Sequence, residues 1–246
     1  MAFVMGATTL PVCSGEVTSF RYTIVESMGY PYNQFDEAGH LQGGLLYDLG
    51  QSIGKELKLK VVNVPLSRRR IEPDLLSGQS DINCYLSPIW TEAREQLLWS
   101  DPILPQIERV VGRAREPFNE DIDKDFSGKS VSTQLGYHYP RIDNLIERGE
   151  VKRLDENSVP MMFKALLLKH SDRLITSEAE IAAYVKDHPE GRDKIHVGKA
   201  IFSNTPTYCA LSPKSQLSLG QLNSAIARLK DNGTIKRLAL RYKVSY

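Results

Sequence analysis

The stretch GLLYDLGQSIGKELKLKVVNVPL, from Gly44 to Leu66, constrains the architecture more than any other. Leu45, Leu46, Leu49, Ile53 and Leu57 fall on one helical stripe, and the valine-rich LKVVNVPL that follows predicts a strand. Ser67 then stands where a second helix would be capped, with Ile71, Leu75 and Leu76 facing inward and Gly78 ending it. DINCYL, from Asp81 to Leu86, predicts the next strand. Strands alternating with helices imply a parallel sheet, because parallel neighbours need a crossover long enough to carry a helix.

The alternation restarts after Pro105. IERVVGRA and GKSVSTQLG predict two strands, YPRIDNLIER a helix stopped at Gly149, and VKRL a further strand. Ser158-Val159-Pro160 opens a helix over the apolar run Met161 to Leu168, and DRLITS predicts a strand. Ser177 and Glu180 have the spacing of a capping box at the head of another helix. TYCALS predicts a last strand, and SLGQLNSAIARLKDNG and TIKRLALRY two closing helices. The outcome is two α/β units in series with helices left over.

The 246 residues, 41% of them hydrophobic, suffice for one large domain or two small ones. A formal net charge of +1 argues against nucleic-acid binding, and the tight basic run Arg68-Arg69-Arg70 reads as a solvated helix face. Cys13, Cys84 and Cys209 and five scattered histidines give no zinc spacing, so no metal and no cofactor are expected. The cysteines read as isolated buried thiols, with a Cys84–Cys209 disulfide left open. Residues 1–16, an apolar run followed by small residues near Cys13, read as the remnant of a secretory signal. With no segment apolar enough to span a bilayer, the expectation is a soluble, exported, periplasmic protein.

Four stretches together resemble the type II periplasmic solute-binding proteins, in the polar amino-acid branch serving ABC importers. YTIVESMGYPYNQFDEAGHLQGGLLYDLGQSIGKELKLKVVNVP is similar to the family's opening strand, loop, hairpin and first helix. LLSGQSDINCYLSPIWTEAREQLLWSDPIL matches its L-x-x-G-x-x-D, T-x-x-R and aromatic-S-x-P succession. FSGKSVSTQLGYHYP matches the opening of its second lobe, and AIARLKDNGTIKRLALRY its C-terminal signature. The resemblance implies an α/β fold of two lobes, two mixed sheets flanked by helices and joined by a two-strand hinge. Residues 17–106 and 208–246 would form lobe 1 and residues 107–207 lobe 2, with the ligand between them.

The resemblance also assigns residues. Arg94, closing Thr91-Glu92-Ala93-Arg94, inherits the grip on a ligand carboxylate, for which a planar guanidinium offers paired donors. About one extra residue, with Ser87-Pro88 and Trp90, lies between Asp81 and Arg94 compared with the family pattern. Ser87 and Trp90 are expected in the cleft, Trp90 as a stacking wall. Arg68 takes the place of a ligand-sandwiching aromatic, Glu26 and Tyr30 lie in the first cleft loop, and Tyr32 and Trp99 are packing aromatics. In lobe 2, Gly136 would offer backbone N–H groups to an anion beside Tyr137 and Tyr139, and Glu178 would pair with a ligand ammonium.

The implied activity is capture of a small polar solute, an amino acid or related carboxylate, by a monomer that delivers it to an ABC transporter permease. The alternatives are an enzyme on the same scaffold, similar to cyclohexadienyl dehydratase, and a ligand-sensing domain. No nucleophile–base pair or phosphate loop supports the enzyme. Arg68 and Arg94 together would favour an anionic or zwitterionic solute.

Overall fold

The computed structural model describes residues 17–246; the stretch expected to be a signal remnant, with Cys13, lies outside the described residues. The chain opens with β1 (Ser19–Val25), a hairpin of β2 (Gln34–Phe35) and β3 (Leu41–Gly43), and α1 (Leu45–Leu57). β4 (Lys60–Leu66), α2 (Ile71–Ser77), β5 (Ile82–Leu86) and β6 (Leu98–Trp99) follow. The leucine stripe of α1 is buried, and its Gly50 lies so close to the sheet that a methyl group there would meet the Tyr22 ring at 2.8 Å. A 3-10 turn over Arg68–Arg70 precedes α2, so the residues after Ser67 begin more tightly wound than an α-helix.

The second unit contains β7 (Pro105–Arg113), α3 (Ile122–Phe126), β8 (Lys129–Gln134), α4 (Pro140–Glu147) and β9 (Val151–Glu156). It continues with α5 (Val159–Leu167), β10 (Arg173–Ser177), α6 (Glu178–Asp187) and β11 (Ile195–Pro206). The chain then returns to the first unit as β12 (Tyr208–Leu211), α7 (Leu219–Asp231) and α8 (Thr234–Tyr242).

Two five-stranded mixed sheets result, ordered β4-β1-β5-β12-β6 and β11-β7-β10-β8-β9. In the first, β1 is parallel to β4 and β5, and β12 inserts antiparallel between β5 and β6. That register sets Cys209 opposite Cys84, and the two form a disulfide. The expectation of isolated thiols is therefore corrected: sequence spacing says nothing of partners that are brought together by a returning strand. In the second sheet, β8 is parallel to β9 and β10, while β7 runs antiparallel to β10 and β11.

Burial follows from this layering. Leu222, Ile226, Leu229, Ile235 and Ala239 of the closing helices share one core with Phe20, Tyr22, Leu45 and Leu49. In the second unit, neighbours along a strand point to opposite faces, so Val110 and Ile175 join Phe126 and Phe202 on one side. Val111 and Leu174 join Met162 and Phe163 on the other. Arg173 is buried within this unit, bound by two nitrogens to Asp125. Burial alone would raise the Asp125 carboxyl; Arg173, Lys129 and the N–H of Asn119 hold it below the usual range.

Two antiparallel strands, β7 and β11, connect the units, with Pro105 and Pro206 paired where they cross. Thr207 clasps the crossing: its N–H and hydroxyl both donate to the Leu104 carbonyl, at 2.9 and 2.7 Å. The molecule is thus two lobes joined by a two-strand hinge.

Candidate ligand-binding cleft

The lobes meet along a polar seam. Tyr32 of lobe 1 donates its hydroxyl to Ser177 Oγ of lobe 2 at 3.0 Å, and its ring packs beside that of Tyr85. Gln134 Nε2 of lobe 2 donates to the Ser27 carbonyl of lobe 1 at 2.8 Å. Ser177 is available for its contact because it caps α6 in the expected capping box, which fixes its hydroxyl beside Glu180.

Two carboxyls are buried in this seam. Glu180 accepts from the hydroxyls of Thr176 and Ser177, yet burial pushes its pKa up. Glu108, on β7 between Ser177 of β10 and Ser203 of β11, accepts from Ser203 and Gln106; burial pushes it up to about 7. Neither has an ion-pair partner among the described residues. The hydroxyls of Tyr137 and Ser27 are also buried there, facing each other.

A cavity of about 730 Å³ opens between the lobes, walled by Arg68, Arg69, Glu72 and Glu92 from one side and Gly136, Tyr137, His138 and Arg153 from the other. Beyond Arg68 and Arg69 lies a second cavity of about 430 Å³ containing Glu26, Ser27 and Asn157. Glu26 also lines a third, of about 290 Å³, with Tyr30 and Glu180. Gly136 allows the walls to approach: it holds φ +81°, and a methyl group there would lie 3.2 Å from Arg69 Cγ.

The expected site residues divide into those at the cleft and those elsewhere. Arg68, Gly136 and Tyr137 line the large cavity, and Glu26 and Tyr30 the smaller ones. Arg68 is not free, since it is buried, binds Glu72 at 3.2 Å and donates to the Trp90 carbonyl at 2.8 Å. The N–H of Tyr137 is taken by the Gln134 carbonyl, so the turn at Gly136 does not offer that donor to an anion.

Arg94 is displaced from its expected place. It starts a 3-10 turn on the surface, pairs with Glu95 at 3.3 Å with its side chain 57% exposed, and lends its carbonyl to the Trp99 indole. Before it, Pro88–Trp90 wind into their own 3-10 turn. Ser87 is buried at the foot of that turn, where its carbonyl accepts from Thr91; Trp90 is half-buried and reaches the cleft wall through its backbone. Tyr139 is corrected from a stacking wall to a core residue of lobe 2, its hydroxyl accepting from the Gln134 N–H. Glu178 is corrected too: it pairs with Arg109 at 2.7 Å beside an outer groove of lobe 2. Its neighbour Glu180 is the carboxyl that faces the seam. Sequence reasoning passed over Arg69, Glu72, Glu108 and His138; Arg69 was hidden in a basic run, and the others sit in no recognisable spacing.

Residues 23–245 match the model of the bacterial extracellular solute-binding proteins, family 3. A probable histidine-binding protein of Neisseria gonorrhoeae is 22% identical over 227 residues, which span 86% of this chain and 78% of that one. An ancestral arginine-binding protein bound to arginine is similar with a TM-score of 0.77 at 24% identity, over 91% of this chain and 97% of its own. The substrate-binding protein of an amino-acid ABC transporter gives a TM-score of 0.75 at 19% identity, over 91% and 98%. At such identities the structural likeness is one of fold.

Proposed function

Because the chain belongs to the bacterial extracellular solute-binding proteins, family 3, we propose that it captures an amino acid or related carboxylate between its lobes and passes it to an ABC transporter permease. The observation that carries this reading is the cavity of about 730 Å³ walled by both lobes, a volume suited to a small solute. Residues 17–106 and 208–246 move as one body and residues 107–207 as the other, about the crossing at Pro105 and Pro206. Closure forms the Tyr32–Ser177 and Gln134–Ser27 bonds, and the solute adds contacts that favour the closed state. The protein acts as a monomer in the periplasm.

The related names, histidine- and arginine-binding, point to amino acids as the first solutes to try. A melting-temperature screen over amino acids, dicarboxylates and polyamines tests the proposal. A solute at about 100 times its dissociation constant stabilises the native state by about 2.7 kcal/mol, a readable shift. Catalysis on the same scaffold has one observation in its favour, the buried Glu108 carboxyl held at about 7. Recovery of the bound solute chemically unchanged supports binding alone; conversion to a product favours the enzyme.

A further inference from the structure

We infer that Arg69 is the residue that takes the anionic group of the solute, an assignment that rests on the solute-binding reading above. The charges walling the large cavity are matched one by one. Arg68 is paired with Glu72, whose other oxygen accepts from the Ala93 N–H at 2.9 Å. Arg153 is paired with Asp155 at 2.9 Å and donates to the Tyr137 carbonyl at 2.8 Å. His138 faces Glu92 at 3.6 Å. Arg69 remains, with no carboxylate and no hydrogen-bond acceptor in reach among the described residues. A guanidinium with all its donors unused at the mouth of a cavity supplies the paired geometry a carboxylate needs.

It also stands at the seam between the lobes. The Arg69 stem lies against Gly136 of the opposite lobe, so the two approach only when the lobes are closed. Arg69 lines both the cavity of about 730 Å³ and that of about 430 Å³, and therefore stands where the two meet. Glu26, in the smaller of these, forms no ion pair with it and gives the trough a polarity, anionic group at Arg69 and cationic group toward Glu26. The carboxylate grip that motif spacing assigns to Arg94 thus belongs to Arg69, since Arg94 is paired with Glu95 and does not line the cavity.

Calorimetric titration of the full chain with free L-arginine, L-histidine, L-glutamine and L-glutamate, and with the carboxamide of each one that binds, tests the assignment. Arg69→Ala is expected to weaken the best binder by roughly tenfold to a hundredfold. Arg94→Ala is expected to leave it unchanged, and the carboxamide to bind wild type and Arg69→Ala about equally poorly. Arg69→Lys, which keeps the charge and loses the fork, should fall between. Melting of each variant without solute verifies its fold, and an exposed arginine without partners leaves that melting unchanged. If the free amino acid binds Arg69→Ala as tightly as wild type, the assignment is overturned while the solute-binding reading stands. If none of the four binds wild type, the amino-acid reading and the assignment both fall.

Discussion

Lobe 1 is assembled from two separated stretches of chain and stapled by Cys84–Cys209 between β5 and β12, whereas lobe 2 runs without a break from β7 to β11 around the buried Arg173–Asp125 pair. In the first, the closing helices α7 and α8 complete a core begun more than a hundred residues earlier, and a covalent link limits the freedom of the unfolded chain. In the second, closure is local, and the ion pair ties α3 to β10 inside a sheet covered on both faces. The difference suits a hinged molecule, because each lobe is stabilised internally and the seam between them is bridged by hydrogen bonds that can part, such as Tyr32–Ser177 and Gln134–Ser27.

The largest test of this contrast is Asp125→Ala. It leaves Arg173 charged and buried without its partner, and destabilisation by about 3–5 kcal/mol is expected in chemical denaturation. Replacing both, as Arg173→Met with Asp125→Leu, should restore most of that loss; a double variant as unstable as the single one would refute the ion-pair account. Next, Cys84→Ala with Cys209→Ala should cost about 2–4 kcal/mol. Hydrogen exchange should then accelerate in β5, β12 and α7 more than in β8 and β10, and a uniform increase would break the comparison.

The seam responds to pH. Glu108 is raised from 4.5 to about 7 by burial. Between those values the native chain binds a proton that the unfolded chain has released, so stability falls as pH rises through that window, by about 2–3 kcal/mol. Glu180 is raised in the same direction and adds to the trend. Glu108→Gln should flatten the decline in urea midpoints measured from pH 4.5 to 7.5, and an unchanged slope would assign the effect elsewhere. The smallest expected effect is at Gly136→Ala, where a side chain at φ +81° should cost about 1–2 kcal/mol of stability in urea, its contact with Arg69 adding a small loss of solute affinity.

Much of this organisation was legible in the sequence. The α1 stripe and the capping box of α6 follow local rules that the fold respects, and the return of the C-terminal helices to lobe 1 agrees with what the family resemblance implies. β11 was not legible, because bulges between Val197 and Ser203 break the alternation that marks a strand. The disulfide depends on the register between β5 and β12, which no local pattern encodes. At the cleft, the motif spacing points to Arg94, which instead lies on the surface with Glu95, and three adjacent arginines took different fates. Arg68 is buried and paired, while Arg69 and Arg70 are exposed. The 3-10 winding of Arg68–Arg70 buries Arg68 and leaves Arg69 beside it at the cavity.

The central claim is that the two lobes close on a solute about the β7–β11 crossing. Small-angle X-ray scattering of the chain, with and without a saturating amino acid that raises its melting temperature, tests this most directly. The account predicts a smaller radius of gyration with solute, matching the arrangement in which Tyr32 bonds Ser177, and a larger one without it. Superimposable curves in the two conditions would contradict it.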